Sequence, residues 1–301
     1  KQERKFPAVT VTRKAENSIR QGHPWVYREE FTAVSGEPEQ GALRVFSQKG
    51  AWLGAGFYSA TSKIGLRILS DNANEDFSPA FFERRVKYAL EYRRAVMDSL
   101  AAAASSLARP TASGLTVDKF SDILVAQCLC GGTDGVKDTI SALAQQLEAM
   151  GERVSGLYER NEAALRSLEG LPRYKLVEGL PHPESTKTEI VENGLRYAVD
   201  LKRQKTGFFL DQKYNRRAVA KLARGRRVLD CFTHTGSFAL NSLGGAEHVT
   251  AVDVSEAAVG LARENAVLNG LEGKMDFLAE VVLRPLLAEP GQQLKDVLGE
   301  K

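Results

Sequence analysis

The run Arg227-Val228-Leu229-Asp230-Cys231-Phe232-Thr233-His234-Thr235-Gly236 decides the fold, together with an acid, Asp253, seventeen residues beyond Gly236. Residues 227–231 form a short apolar run ending on an acid and a turn, the pattern of a buried strand. A short helix is expected over 237–243, a second strand over 249–254 and an amphipathic helix over 256–268. Ser255 is suited to cap that helix at its N-terminus and Gly270 to end it. A third strand is expected near 275–281. This β-α-β-α-β order requires parallel strands joined by right-handed crossovers, so the region is α/β and Rossmann-like.

In such a sheet the first strand-to-helix turn lets a ligand approach the backbone, and an acid ending the second strand accepts hydrogen bonds from ribose hydroxyls. A dinucleotide requires three glycines around its pyrophosphate, whereas this turn has Gly236 alone. S-adenosylmethionine has a ribose and no phosphate, and it fits better than NAD. A Rossmann-like domain without ligand is the remaining alternative.

The chain has 301 residues, 43% of them hydrophobic and 26% charged, and this excludes neither a multi-domain enzyme nor a binding protein. It has no long apolar run, so no membrane partner is expected. Three cysteines, Cys128, Cys130 and Cys231, make no disulfide framework and suit a reducing, cytoplasmic setting. With His23, His182, His234 and His248 scattered, no metal site is expected either. Residues 1–70 carry 11 Lys/Arg against 6 Asp/Glu, residues 71–200 carry 15 against 20, and residues 201–301 carry 15 against 12. Ten basic residues fall within 201–230, including Arg216 and Arg217, against Asp211 and Asp230. Such a run suits a phosphate backbone or a solvated helix face.

Upstream, short β-rich segments are expected at 8–12, 25–31, 43–47, 52–59 and 66–70, with one or two helical turns at 15–20, as in a small barrel. Residues 18–27, Ser18-Ile19-Arg20-Gln21-Gly22-His23-Pro24-Trp25-Val26-Tyr27, resemble a signature of the PUA domain of RNA-modifying enzymes. That resemblance makes Arg20, His23 and Trp25 candidates for RNA contact, with packing inside the PUA fold as the alternative. A long helix is expected over 78–107, then strands at 115–120 and 123–130, a helix at 136–150, a strand at 154–159, and a hairpin over 189–201 turning at Asn193-Gly194. Prolines in 172–188 mark a linker.

Residues 204–212, Gln204-Lys205-Thr206-Gly207-Phe208-Phe209-Leu210-Asp211-Gln212, precede Asn215-Arg216 and the turn quoted above. With Gly156-Leu157-Tyr158-Glu159-Arg160-Asn161 they resemble the bacterial RlmI-type family of large-subunit rRNA cytosine-5 methyltransferases. The resemblance implies an N-terminal β-barrel PUA domain (1–72), a central α+β domain (73–188) and the N-terminal part of a class I methyltransferase domain (189–301). It implies S-adenosylmethionine as cofactor, 23S rRNA as partner and a cytoplasmic setting. By position, Lys205, Thr206, Gly207, Asp230, Phe232, Thr235 and Gly236 would surround the methionine end of the cofactor. Asp253 would hold the ribose, Val254 and Ser255 would lie beside the adenine, and Glu280 would face its amino group. Lys205 has a surface charge as its plain alternative.

The sequence departs from that family in places. The segment before Leu115 is shortened, the helix after Gly236 is about a residue short, and the expected Asp-Pro-Pro motif and late catalytic cysteine are absent. Carbon 5 of cytosine is a poor nucleophile until a thiolate adds to carbon 6. The expectation is therefore a chain truncated or altered at its C-terminus that transfers no methyl group to cytosine as written. Its sheet would be incomplete and open-edged and would favour homo-oligomers, unless 283–298 folds back as a helix. A non-catalytic RNA-binding protein that keeps the cofactor fold is the rival reading.

Overall fold

The structure, a computed structural model, describes residues 6–36, 41–97, 102–106, 114–131, 138–160, 164–168, 170–171, 183, 185–202 and 208–280. The chain forms two compact units, residues 1–184 and 185–301.

The first unit opens with β1 (Ala8–Val11), α1 (Arg13–Arg20), β2 (Trp25–Tyr27), β3 (Phe31–Ser35), β4 (Ala42–Ser47), β5 (Trp52–Tyr58) and β6 (Ile64–Ser70). They make one sheet in the order β2-β6-β5-β4-β1-β3, in which β1 runs parallel to β4 and the other pairs are antiparallel. Alternate residues of β1 and β4 (Val9, Val11, Leu43, Val45) meet Val26, Leu53, Leu66 and Ala15 of α1 in one core. The sheet must curl for these strands to share that core, and register shifts in four of its five strand pairs supply bends. The single strand expected over 25–31 is instead two. A 3₁₀ turn, Arg28–Glu30, intervenes, fixed by the Glu30 carboxylate accepting from the Tyr27 amide at 3.0 Å.

Helix α2 (Pro79–Val96) starts where Ser78 and Pro79 predict. It ends at Val96 rather than continuing to 107, and the alanine-rich segment after it is a strand, β7 (Ala102–Ser106). Alanine favours helix, but antiparallel pairing of all five β7 residues with β8 (Leu115–Phe120) overrides that preference. With β9 (Ile123–Cys128) and β10 (Gly156–Glu159) they form a second sheet in the order β10-β9-β8-β7. The helix α3 (Asp138–Ala149) covers it: Ile140, Leu143 and Leu147 pack with Val86 and Leu90 of α2 on Leu115, Val117 and Leu124. A short helix, α4 (Ala164–Leu168), follows.

The second unit begins with the hairpin β11 (Lys187–Glu192) and β12 (Leu195–Asp200). Both turn residues have positive φ, 54° at Asn193 and 81° at Gly194, as a two-residue type I′ turn requires. After α5 (Lys213–Leu222) come β13 (Arg227–Cys231), α6 (Ser237–Ser242), β14 (His248–Asp253), α7 (Glu256–Leu268) and β15 (Met275–Ala279). The three strands are parallel, in the order β13-β14-β15. The Ser255 side chain accepts from the Ala258 amide at 3.3 Å, the N-cap expected of it, and Gly270 follows α7 with φ at 65°. Val249, Thr250, Ala251 and Val252 of β14 are buried, whereas residues 228–231 of β13 are only partly covered. Residues 283–298 lie outside the described residues.

Candidate functional site

The carboxyl ends of β13 and β14 are tied together through the turn between β13 and α6, whose backbone amides donate to the end of β14. One Asp230 carboxylate oxygen accepts from the Thr233 hydroxyl at 2.6 Å and from the Ala239 amide at 3.1 Å, so Asp230 holds the turn onto α6. Burial raises its pKa, and the nearby Asp253 carboxylate adds to the rise, against the lowering effect of its two donors. Asp253 bridges two loops. One oxygen accepts from the His234 amide and the other from the Ser255 amide, each at 3.0 Å. The Thr233 amide donates to the Val252 carbonyl at 3.0 Å, and the Glu280 amide to the Asp253 carbonyl at 3.0 Å.

The turn is held in an unfavourable backbone conformation. Phe232 and His234, neither of them glycine, have φ of 61° and 52°. Such residues persist where surrounding contacts over-determine them, and they concentrate at ligand-binding turns. Gly236 has φ of 71°, and a Cβ there would lie 2.9 Å from the Ala262 Cβ, so both backbone and space demand glycine. Phe232 and Val254 project at the two strand ends with 66% and 65% of their surface exposed. Thr235 is buried, and Ser255 and Glu280 are exposed. The structure thus places Asp230, Phe232, Thr235, Gly236, Asp253, Val254, Ser255 and Glu280 at or beside the strand ends. Lys205, Thr206 and Gly207 lie outside the described residues.

Sequence reasoning missed the asparagines that brace this turn. Asn265, buried on α7, donates to the Thr235 carbonyl at 2.9 Å and accepts from the Ala198 amide at 2.8 Å, joining the turn to β12. Asn241 donates to the Tyr197 hydroxyl and to the Ser237 carbonyl, and it accepts from Asn193 of the hairpin turn at 3.0 Å. The legible signal was Asn265 itself, a polar residue among Leu261, Ala262 and Ala266 on the apolar face of a helix.

Arg216 needs correction as an RNA-contact residue. It is 1% exposed and donates twice to Glu192, also 1% exposed, at 2.6 and 2.9 Å, and once to the Phe209 carbonyl at 2.8 Å, beneath the Phe208 ring. A guanidinium so engaged presents nothing to a phosphate. Periodicity explains the difference: α5 turns Lys213 and Arg216 inward and leaves Arg217 and Lys221 exposed at i and i+4, with Arg224 exposed just beyond the helix end. In the first unit, Arg20 is exposed and bonded to Glu16 at 2.8 and 3.0 Å. His23 is exposed, and its ring stands edge-on to the partly buried Trp25.

Among the described residues no three His, Cys, Asp or Glu side chains are grouped to hold a metal ion, and no helix is long and apolar enough to cross a membrane. Cys128 and Cys130 are buried, and burial raises the pKa of the Cys231 thiol, with the Asp230 carboxylate adding to it.

A curled sheet of this kind and a parallel sheet with a braced strand-end turn define a class, a PUA-like domain joined to an S-adenosylmethionine-dependent methyltransferase fold. The PUA-like family profile matches residues 9–71, and that of the S-adenosylmethionine-dependent methyltransferases matches residues 175–286. The chain is 36% identical over 272 residues to ribosomal RNA large subunit methyltransferase I of Aeromonas salmonicida, covering 88% of this chain and 67% of that protein. To the protein of that name from Klebsiella pneumoniae it is 32% identical over 292 residues, covering 93% and 71%. The chain belongs to the ribosomal RNA large subunit methyltransferase I family. A Streptococcus mutans chain assigned to the SAM-dependent methyltransferases shares the fold with a TM-score of 0.72 at 21% identity, covering 92% of this chain and 71% of its own length. A second such structure, with S-adenosylhomocysteine bound, has a TM-score of 0.73 at 21% identity, covering 92% and 70%. The cofactor expected from the turn is the one for which the matching methyltransferase family is named.

Proposed function

We propose that this chain binds S-adenosylmethionine at the carboxyl ends of β13 and β14 and binds large-subunit ribosomal RNA in the cytoplasm, and that the reaction of its family is directed to carbon 5 of cytosine. One observation carries the cofactor site: the Asp253 carboxylate, at the end of the second parallel strand, joins the strained 232–236 turn to the start of α7. Its remaining lone pairs suit ribose hydroxyls, and the exposed Phe232 and Val254 supply apolar surface to either side. Asp230 and Gly236 shape the turn, Thr235 is anchored through Asn265, and Ser255 and Glu280 lie beside the adenine. Lys205, Thr206 and Gly207 complete the methionine end by their match to the family motif. The cofactor supplies an activated methyl group on a sulfonium.

RNA would meet Arg20, His23 and Trp25 of the first unit and Arg217 and Lys221 of α5, with Arg224 just past its end, through phosphate neutralisation by the basic residues. The names of the Aeromonas and Klebsiella relatives support rRNA as the substrate.

Methylation at cytosine carbon 5 runs through addition of a thiolate to carbon 6, attack of carbon 5 on the methyl group, loss of the carbon 5 proton and release of the thiolate. Burial of Cys128 and Cys130 and the raised Cys231 thiol set none of these three as that nucleophile. Incubation of the 301-residue chain with unmodified large-subunit rRNA and methyl-labelled cofactor is the test. Both ligands bind and no label reaches cytosine; label on cytosine would overturn this part, and serine variants of the three cysteines would then identify the thiol.

A further inference from the structure

His234 reaches two parts of the second unit at once. Its amide donates to one Asp253 carboxylate oxygen at 3.0 Å, and its ring stands edge-on to Phe209, with centroids 5.3 Å apart and planes at 81°. Phe209 belongs to the stretch ahead of α5, outside the turn between β13 and α6.

Both sides of that ring contact are anchored. The Phe209 carbonyl accepts from Arg216 at 2.8 Å and from the Gln212 amide at 3.3 Å, and Arg216 is itself fixed by the buried Glu192. The neighbouring Phe208 is buried against Tyr197, with ring centroids 5.0 Å apart. On the turn side, the Thr233 amide donates to the Val252 carbonyl at 3.0 Å and the Thr235 carbonyl accepts from Asn265 at 2.9 Å. His234 therefore lies between two held neighbours, with φ of 52°. A residue with a side chain stays in that left-handed region only where its surroundings hold it there.

The consequence falls on Asp253. The torsion that turns an aspartate carboxylate is broad, so the side chain alone does not choose an orientation. Here the His234 amide holds one oxygen and the Ser255 amide the other, each at 3.0 Å, and two donors from different loops fix the carboxylate plane. If His234 leaves the left-handed region, its amide turns away and one of the two donors is lost.

We propose that the His234 ring, held by Phe209, is a positioning device for the ribose acid: it keeps the His234 amide on Asp253 and so sets the orientation in which that carboxylate meets the ribose hydroxyls. This rests on the reading of Asp253 as the ribose acceptor. It adds positioning residues from outside the strand-end turn, Phe209 and, through its carbonyl, the buried pair of Arg216 and Glu192.

The experiment brings the 301-residue chain to dialysis equilibrium with methyl-labelled S-adenosylmethionine, and adenosine or 2′,3′-dideoxyadenosine competes for the site. Wild type prefers adenosine by about tenfold or more, the worth of hydrogen bonds to a charged acceptor. Two variants release the latch: His234→Gly frees φ, and Phe209→Leu keeps apolar bulk without the ring; each cuts the preference to about threefold or less. His234→Phe restores an edge-on ring and keeps the preference within about twofold of wild type. The turn already holds a phenylalanine in the left-handed region, Phe232 with φ of 61°. The preference is a ratio for the folded fraction, so a loss of stability alone leaves it unmoved. A glycine variant with the wild-type preference, or one that binds both competitors more weakly by the same factor, overturns the inference. So does a phenylalanine variant as indiscriminate as the glycine one. If wild type binds no S-adenosylmethionine, or binds it without preferring adenosine to the dideoxy competitor, the reading of Asp253 fails and the latch with it; if wild type shows the preference and the glycine variant keeps it, only the latch fails.

Discussion

Replacing Arg216 by Met keeps the aliphatic stem and removes the guanidinium. Glu192, 1% exposed, then holds a carboxylate whose two donors at 2.6 and 2.9 Å are gone, and the Phe209 carbonyl loses a donor at 2.8 Å. Breaking one side of a buried ion pair costs about 3–5 kcal/mol, because the charge left behind is neither paired nor hydrated. Against a total stability of roughly 5–15 kcal/mol that is about a fifth or more of what holds the unit together. The expected fall in melting temperature is on the order of 10–20 °C. Urea unfolding, with hydrogen exchange resolving residues 185–280, measures it. The double variant Arg216→Met/Glu192→Met removes both charges and recovers most of the loss, since two apolar side chains of similar length need no counter-ion. A single-variant loss below about 1 kcal/mol, the range of exposed pairs, would refute the burial of this pair, and so would a double variant no more stable than the single.

Gly236→Ala adds a left-handed φ cost of about 1–2 kcal/mol to an overlap with Ala262 worth about 1–3 kcal/mol, and denaturant unfolding should show roughly 2–5 kcal/mol lost with cofactor binding impaired. Asp230→Ala loses two accepted hydrogen bonds, about 2–4 kcal/mol, whereas Asp230→Asn keeps both on its amide oxygen. Because burial raises the Asp230 pKa, its charge penalises the folded state only as pH rises past the ordinary carboxylate range; the penalty is absent in acid. Asp230→Asn therefore gains stability relative to wild type between acid and neutral pH, and a pH series of melts showing the reverse trend would contradict this. Removing the charges of Arg217 and Lys221 together weakens RNA binding and flattens the salt slope by about 1.5, roughly 0.7 per lost phosphate contact, as anisotropy at several salt concentrations would show.

The parallel sheet and its ligand turn were legible because each step leaves a local mark: an apolar run ending on Asp230, Gly236, and then Asp253 ending the next run. The Ser255 cap and the Asn193-Gly194 turn were equally local. What was not legible depends on contacts distant in sequence. The alanines at 102–104 read as helix because nothing nearby reveals that β8, more than ten residues on, will pair with them. Arg216 and Arg217 read alike as cations, and only the α5 phase relative to Glu192 on β11 sends one inside. The bracing by Asn265 requires knowing that α7 lies between Thr235 and Ala198. Of the expected cofactor residues, those near the strand ends follow from their place in the βα turns, whereas Lys205, Thr206 and Gly207 rest on their motif alone.

The central claim is that a nucleoside cofactor lies against Asp253 at the ends of β13 and β14. Calorimetric titration of S-adenosylmethionine into wild type and Asp253→Ala tests it directly. Wild type binds, and the variant binds more weakly by about 1–3 kcal/mol, roughly five- to 150-fold, the cost of the charged hydrogen bonds lost. Equal affinity in the two proteins would contradict the account and remove Asp253 from the site.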